Sequence, residues 1–416
     1  MKKFNNKIKK INDVAAWRLC VGCGACVPVC PDKKVKLLDI YHDGIRPFIN
    51  TEECDTCSDC IEVCPGINYS HEQNEKETSI LRGLQKKFGP ILEIFEGYAT
   101  DKALRYAGSS GGAASALSLY CLEKLHMYGV LHIGADTKYP WRNTTILSKN
   151  RNELLRNTGS RYSPASPCDG LDKILAAPQP SVFIGKPCDI KALRNVQMKN
   201  RELLNKTGVA IGIFCAGTPS TDATLDLLKK HDITIDSLAE LRYRGNGWPG
   251  NTTVRQKGEK EPSISLTYYD SWGFLNNYRP FRCYLCPDGT AEFADISCGD
   301  PWYREPKENE DGYSLVIVRT DKGRKIVHDA MNAGYITLKR VPPQTAEQSQ
   351  RNLLRKRGAI AGRLFTMKLF GLPTPELKGF SLSVNWLSLP LLDKIRSVFG
   401  TARRIIQRRY FRPIKY

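Results

Sequence analysis

The 416-residue chain has no run of apolar residues long enough to cross a bilayer, which takes about 18–20 in a row. Its basic start, MKKFNNKIKKINDVAAW, has no apolar core of the kind a secretory signal carries, so a cytoplasmic protein is expected. Histidine is scarce, with 6 residues scattered through the chain, and no H-E-x-x-H occurs. No Ser-His-Asp set or paired-carboxylate signature is evident either, and together these gaps disfavour a hydrolase. A G-x-G-x-x-G fingerprint is also missing, which disfavours direct use of a nicotinamide dinucleotide. Acidic residues are in deficit, 43 Asp and Glu against 62 Lys and Arg. The basic residues are dispersed and carry no stacking motif, so nucleic acid is not an expected partner.

Cysteine, by contrast, is abundant, at 15 residues. Without a signal segment, thiols in such number are expected as metal ligands rather than disulfides. Cys20, Cys23, Cys26 and Cys30 precede Pro31 with the spacing C-x2-C-x2-C-x3-C-P, and Cys54, Cys57, Cys60 and Cys64 repeat it before Pro65. In this pattern three cysteines hold one 4Fe-4S cluster and the fourth crosses to its neighbour. The expected ligand sets are Cys20, Cys23, Cys26 and Cys64 for one cluster, and Cys54, Cys57, Cys60 and Cys30 for the other. Zinc sites use paired C-x2-C arms rather than a four-cysteine run ending in proline. Each oxidised cluster with its four thiolates adds about −2, so three such sites would bring the formal +19 to about +13. The remainder suits acidic partners such as phosphorylated cofactors or an anionic membrane surface.

The fold class expected is α+β: an N-terminal 2×(4Fe-4S) ferredoxin-like domain followed by a mixed α/β domain. The boundaries read as 1–70 for the dicluster domain, 71–94 for a linker with a helix near 76–88, 95–345 for the second domain, and 346–416 for a basic extension. A hairpin is expected between the cysteine runs, from strands at Val35–Tyr41 and Ile45–Asn50. Further strands are expected at 91–100, 130–135, 181–185, 209–215, 314–320 and 335–341. Helices are expected over 113–128, after Asp189, and over 221–230 and 321–333. Residues 240–300 show no clear period and read as long loops.

Seven cysteines lie outside the two runs. Cys188 and Cys215 each follow a predicted strand, where ligand loops of α/β sheets gather, and Cys283 and Cys286 form a C-x2-C. Together these four suit a four-thiolate site; zinc and ordinary buried cysteines are the alternatives. Cys121 falls inside a helix and reads as core, and Cys168 and Cys298 are unassigned. Gly108-Ser109-Ser110-Gly111-Gly112 precedes a helix, a placement suited to a pyrophosphate; on the residues alone a plain serine N-cap with a glycine turn is the favoured alternative. Arg161, in Asn157-Thr-Gly-Ser-Arg-Tyr-Ser-Pro, is a candidate anion partner or part of a surface turn. Lys186, two residues before Cys188, is a candidate phosphate or flavin contact or a solvated lysine.

Four stretches give the chain a family resemblance: Gly108-Ser-Ser-Gly-Gly-Ala-Ala-Ser-Ala-Leu, Gly185-Lys-Pro-Cys-Asp, Gly212-Ile-Phe-Cys, and Cys283-Tyr-Leu-Cys-Pro-Asp with Ala294-Asp-Ile-Ser-Cys-Gly-Asp-Pro-Trp. In order and context they resemble the family of coenzyme F420 hydrogenase and dehydrogenase beta subunits. The resemblance covers roughly 15–340. It implies an FAD-binding domain with its own third 4Fe-4S cluster on Cys188, Cys215, Cys283 and Cys286, the FAD meeting Ser109, Ser110, Gly111, Gly112, Arg161 and Lys186. It implies an oxidoreductase passing electrons between an organic hydride donor or acceptor, coenzyme F420 or another small molecule, and the clusters. A redox partner protein or a small-molecule hydride donor would complete the reaction. A non-catalytic electron-transfer subunit of a larger complex is the competing class. Cys298 stands where the family pattern expects an apolar residue, which makes it a reserve ligand. The family also includes chlorophyll-derivative reductases and bacterial proteins associated with polysaccharide synthesis, so the substrate does not carry over. Outside the resemblance, Leu391–Phe411 spaces apolar residues at helical intervals among arginines. That pattern predicts a basic amphipathic helix, either in peripheral contact with a membrane or packed on the protein body.

Overall fold

Runs of four to seven apolar and β-branched residues, separated by helical segments, build the structure, a computed structural model that describes residues 7–50, 54, 57–71, 81–307 and 310–416. The first such pair is the expected hairpin, β1 (Lys36–Ile40) with β2 (Gly44–Phe48), paired antiparallel so that Ile40 faces Gly44. Gly44 has a φ of 95°, which the turn requires of a residue without a Cβ. Around the hairpin, Ile11, Val14, Leu19, Ile61 and Ile67 bury a small core that the cysteines join.

The larger unit is an eight-stranded mixed sheet. Its strands are β3 (Glu93–Ala99), β4 (Val130–Ala135), β5 (Asn143–Ser148), β6 (Ser181–Gly185) and β7 (Thr207–Ile213), joined by β11–β13 below. Before those come β8 (Leu238–Arg242), β9 (Thr252–Gln256) and β10 (Ile264–Leu266); then β11 (Ile296–Gly299), β12 (Ser314–Val318) and β13 (Ile336–Arg340). The order across the sheet is β13-β3-β12-β11-β7-β6-β4-β5. Its centre, β4-β6-β7-β11, is parallel, and both margins are antiparallel. Parallel strands are covered on both faces, which is why Val182, Phe183, Val209, Ala210 and Ile211 are all fully buried. Helices Ala113–Glu123 and Asp321–Asn332 pack on this sheet, and Leu117, Leu119, Ile326 and Val327 join its core. The first ends earlier than the expected Tyr128, in a turn where His126 takes a φ of 51°.

Residues 240–300 are not loops. β8, β9 and β10 form a separate three-stranded antiparallel sheet, followed by helix Tyr268–Leu275 and the central strand β11. The period is hidden by a register shift between Leu238 and Glu240 and by the brevity of β10, three residues long. Of the helix expected over 76–88, residues 76–80 lie outside the described residues; a 3-10 turn at Arg82–Leu84 runs into helix Gln85–Phe88.

The C-terminal extension is helical: Pro343–Ser349, Arg351–Gly358, Ile360–Leu369, Leu382–Leu387 and Leu391–Gln407. It returns to the dicluster domain. Ile405 and Tyr410 join the core of Ile11 and Leu19, and the Ile414 amide donates to the Ala16 carbonyl at 2.9 Å. The Tyr416 hydroxyl donates to Asp43 Oδ2 at 2.6 Å. Among the described residues no helix is long and apolar enough to cross a membrane.

Candidate functional site

Within the two runs Cys23 feels the charge of Cys64 and Cys20, and Cys60 that of Cys57, Cys54 and Cys30. Cys20, Cys23, Cys26, Cys60 and Cys64 are buried, Cys30 and Cys54 half-buried, and Cys57 exposed. Burial pushes the Cys23 thiol well above its ordinary value, and the adjacent thiols of Cys64 and Cys20 push it further. Cys26 is raised by burial and by Cys23, Cys20 and Cys64; Cys64 reaches about 12 through burial and Cys20. Cys60 reaches about 11 through burial, then Cys57, Cys54 and Cys30. Thiols so placed ionise only when a cation holds them, which is the service bound iron performs. Cys20, Cys23, Cys26 and Cys64 act on one another, Cys30, Cys54 and Cys57 act on Cys60, and Cys60 acts also on Cys26 and Cys64.

The dicluster loops grip the larger domain beside the carboxyl ends of its parallel strands. Ser166 Oγ donates to the Gly22 carbonyl at 2.7 Å, and the Cys168 amide donates to the Cys23 carbonyl at 3.0 Å. A Cβ on Gly24 would come within 2.9 Å of Ser166, so only glycine fits this contact. Cys168, unassigned from sequence, is thus a fully buried residue at the seam.

At those strand ends the other four cysteines meet. β6 ends at Gly185 and Cys188 enters the first turn of helix Pro187–Lys199; β7 ends at Ile213, two residues before Cys215. The Cys215 amide donates to the Gly289 carbonyl at 2.8 Å, tying the strand end to the C-x2-C loop. That loop is set by Asp288, whose carboxylate accepts the Thr290 and Glu292 amides at 2.9 and 2.8 Å and the buried Tyr69 hydroxyl at 3.2 Å. Cys188, Cys215, Cys283 and Cys286 line one cavity, and Cys20 of the dicluster domain lines the same cavity. Among the described residues no three His, Cys, Asp or Glu side chains are gathered as tightly as a single metal ion requires.

The lining carries more positive than negative charge, with Lys186, Arg46, Arg282 and Lys356 against Asp43 and Asp288. Lys186 is not solvated: its ammonium sits between the Asp189 carboxylate, at 2.7 and 2.9 Å, and the Ala165 carbonyl. Burial opposes its charge, but Asp189 prevails and raises its pKa. Arg282 is 2% exposed, yet among the described residues its Nε and Nη1 have no hydrogen-bond partner, while Nη2 donates to the Pro65 carbonyl at 3.2 Å. A buried guanidinium with two idle donors, in a cavity walled by thiols, fits an anionic occupant. An iron–sulfur cluster with four thiolates is such a group. Cys298 is elsewhere. It lies inside β11 with its side chain in the sheet core, its thiol raised to about 12 by burial alone, so a reserve-ligand role is excluded by the pleat of the strand.

The glycine-serine loop packs against the sheet. Gly111 N and Ser110 Oγ both reach Ser314 Oγ, at 2.9 and 2.8 Å, and Ser109 Oγ accepts the Ser160 amide. Gly112 has a φ of 73°, and a Cβ on Gly111 would stand 2.6 Å from the Gly97 carbonyl, so these glycines answer to the protein's own packing. Ser109 and Ser110 remain half-exposed at the start of helix Ala113–Glu123. Arg161 turns away from any anion: its guanidinium bonds Asn143 and the carbonyls of Leu241, Pro140 and Arg142. Sequence reading missed the side chain that does stand beside the loop, Arg244. Arg244 bonds the Ser109 carbonyl and pairs in fork geometry with Asp300 at the end of β11. Trp248 donates to the same carboxylate at 2.9 Å and stacks on Trp302, which stacks on Tyr268. Its signal in the sequence is the Gly-Asp-Pro-Trp run at 299–302, met by an arginine from the aromatic-rich segment before it.

Three segments of the chain match known families. Residues 13–65 match the 4Fe-4S dicluster domain, residues 94–171 the N-terminal part of the coenzyme F420 hydrogenase/dehydrogenase beta subunit, and residues 180–344 its C terminus. The chain belongs to the family of coenzyme F420 hydrogenase/dehydrogenase beta subunits. In this beta-subunit-type chain the dicluster segment holds the first eight cysteines, and the C-terminal family segment holds Cys188, Cys215, Cys283 and Cys286. Residues after 344 lie outside all three matches. Among its relatives, the coenzyme F420 hydrogenase subunit beta of Methanococcus voltae is 25% identical over 69% of this chain and 99% of its own length. The coenzyme F420-dependent sulfite reductase of Methanocaldococcus jannaschii is 27% identical over 76% of this chain, which spans only 47% of that longer protein. The F420-dependent formate dehydrogenase subunit beta of the same organism is 29% identical over 60% of this chain and 62% of its own length. A chain of the F420-reducing [NiFe] hydrogenase complex from Methanosarcina barkeri superposes with a TM-score of 0.49 at 22% identity, covering 64% of this chain and 92% of that one.

Proposed function

We propose that the protein is an iron–sulfur flavoprotein oxidoreductase that passes electrons between a small organic hydride donor or acceptor and a protein redox partner. The observation that carries this reading is the shared cavity, in which Cys20 of the dicluster domain faces Cys188, Cys215, Cys283 and Cys286. A cluster held by those four thiols would sit next to the dicluster set that includes Cys20, and electron transfer needs only proximity. The relatives' names supply the class of donor, coenzyme F420, and their description as subunits supplies the expectation of a protein partner.

Cys188, Cys215, Cys283 and Cys286 would hold the third 4Fe-4S cluster, with Arg282 and Lys356 compensating its charge. FAD is assigned to the half-exposed Ser109–Ser110 edge and the N-terminus of helix Ala113–Glu123, whose positive dipole end suits a pyrophosphate although Ser314 Oγ already takes the Gly111 and Ala113 amides. Such a flavin, when bound, exchanges two electrons with an organic partner and one at a time with iron–sulfur clusters. Lys186, held by Asp189, keeps a fixed positive charge at the cavity wall, and Arg244 with Asp300 fixes the loop backbone at Ser109.

Iron analysis of anaerobically purified protein should give about twelve atoms per chain, against about eight if only the dicluster domain is loaded. Cys283→Ser with Cys286→Ser should bring the first value to the second. Separate titrations with reduced coenzyme F420, NADPH and reduced ferredoxin, followed by visible bleaching, identify the donor. Protein that carries clusters but takes up no flavin on reconstitution defeats the enzyme reading and leaves an electron-transfer subunit.

A further inference from the structure

Helix Leu391–Gln407 is packed inside out for a helix that merely covers a protein body. Ser397, Thr401 and Ile405, four apart, face inward and are buried. Its contact with helix Ile360–Leu369 is made by small and hydroxyl residues. A Cβ on Gly362 would lie 2.2 Å from Ser397 Oγ, and Thr366 Oγ1 donates to the Val398 carbonyl at 3.3 Å. The large apolar residues point the other way: Leu391 is 71% exposed, Phe399 68% and Ile406 58%, with Ile395 between them on the same stripe. The neighbouring helix adds exposed Phe365 and Leu369. A soluble surface helix turns its apolar stripe to the core, so an outward stripe of this kind marks a contact surface.

Charge says what the contact is with. Residues 365–416 contain ten Lys and Arg against two Asp and Glu, a surplus of eight out of the chain's nineteen. One of those two acids, Asp393, is already paired with Arg355 and Arg396. Arg403 is exposed on the same helix as Phe399. Two copies of this face would repel, whereas apolar residues rimmed by long cationic side chains match the headgroup zone of an anionic bilayer. We propose that the outward face of Leu391–Gln407, together with Phe365 and Leu369, docks the protein on an anionic membrane surface without crossing it. The same helix leads into the segment packed on the dicluster domain, so docking brings the cluster end of the chain to the bilayer.

The test is flotation of the full-length holoprotein with vesicles of phosphatidylcholine alone or mixed with phosphatidylglycerol. Binding to the mixed vesicles that weakens with salt is expected, at least about tenfold stronger than to phosphatidylcholine. Ile395→Ser with Phe399→Ser should weaken it by about tenfold or more, and Ile395→Leu with Phe399→Leu should retain it. Arg396→Gln with Arg403→Gln should weaken binding to the mixed vesicles only, by about tenfold. All these positions are exposed, and unchanged iron–sulfur absorption and melting temperature verify the fold. Equal flotation of the serine variant and the parent, or no flotation, overturns the proposal. So does a concentration-dependent dimer, or binding to an acidic protein, that the serine substitutions abolish while vesicles remain unbound.

Discussion

At the scale of single residues, Arg282 shows how a buried charge is tolerated. It is the residue before Cys283, and its charge acts on the thiols of both Cys20 and Cys286, lowering each against the larger effect of burial. Two of its donors have no partner among the described residues, so its stability is tied to a negative occupant of the cavity. A fixed positive charge favours the reduced, more negative form of a cluster. Arg282→Gln should therefore lower the midpoint potential of the adjacent cluster by about 60 mV or more, one decade for a one-electron couple, and Arg282→Lys should recover most of it. A potentiometric titration followed by electron paramagnetic resonance reads this, and equal potentials in all three proteins would exclude the assignment. His132 illustrates a purely structural charge effect. It is buried in β4, its Nε2 lies 2.8 Å from Ser148 Oγ, and burial lowers its pKa to about 4. On unfolding the ring returns to its ordinary 6.5, so the unfolded chain takes up a proton that the folded one refuses. Stability should fall as the pH drops from about 6.5 toward 4, by at most about 3 kcal/mol from this group. His132→Asn should remove that share of the slope, seen as melting temperatures of parent and variant that converge between pH 7 and 5.

At the scale of elements, β7 shows how a strand positions the cavity. Gly212 pairs with Gly185 on one side and Ser297 on the other, and a Cβ there would stand 2.2 Å from the Cβ of Ala291. The absence of a side chain lets the 286–294 segment lie against the strand and holds Cys286 opposite Cys215. Gly212→Val should cost about 1–3 kcal/mol through overpacking and move Cys286 out of place. Lower thermal stability with iron falling from about twelve toward eight per chain is the expected result; full iron content would mean that the segment yields without moving the thiol. Such elements were legible in the sequence where local signals were strong. The hairpin of β1 and β2, the buried strands β4 and β6, and helix Thr221–Lys230 all follow from apolar runs bounded by turns. The position of β3 between β12 and β13 did not follow, because it pairs with partners more than two hundred residues away. The β8-β9-β10 sheet was hidden by a bulge and a three-residue strand. In the cavity, cysteine spacing pointed to the dicluster thiols and family motifs to the other four. The lining cations Arg282, Arg46 and Lys356 come from three separate segments and meet only in the folded chain.

At the scale of the whole molecule, the last residues of the chain close on the segment that leads into the first cluster loop. The Arg18 guanidinium donates to the Arg412 carbonyl at 2.9 Å and stacks over Tyr410, which in turn packs on Phe281. Tyr416 bonds Asp43, and Asp43 holds Arg46 at 2.7 Å, a buried cation whose charge bears on the Cys20 thiol. The last nine residues thus fasten on the segment before Cys20 and on Asp43, which lines the cavity. Their removal, leaving Leu391–Gln407 intact, should uncover Cys20 while keeping the sheet and the apolar helix face in place. Iron release to a chelator should then become several-fold faster for the dicluster share of the iron, with the remainder released at the parent rate. Vesicle binding should persist, because the residues assigned to it precede the cut. Uniform acceleration of all the iron would mean that the tail stabilises the whole chain rather than this seam. Unchanged rates would mean that Tyr416 and Asp43 do no more than fasten an end.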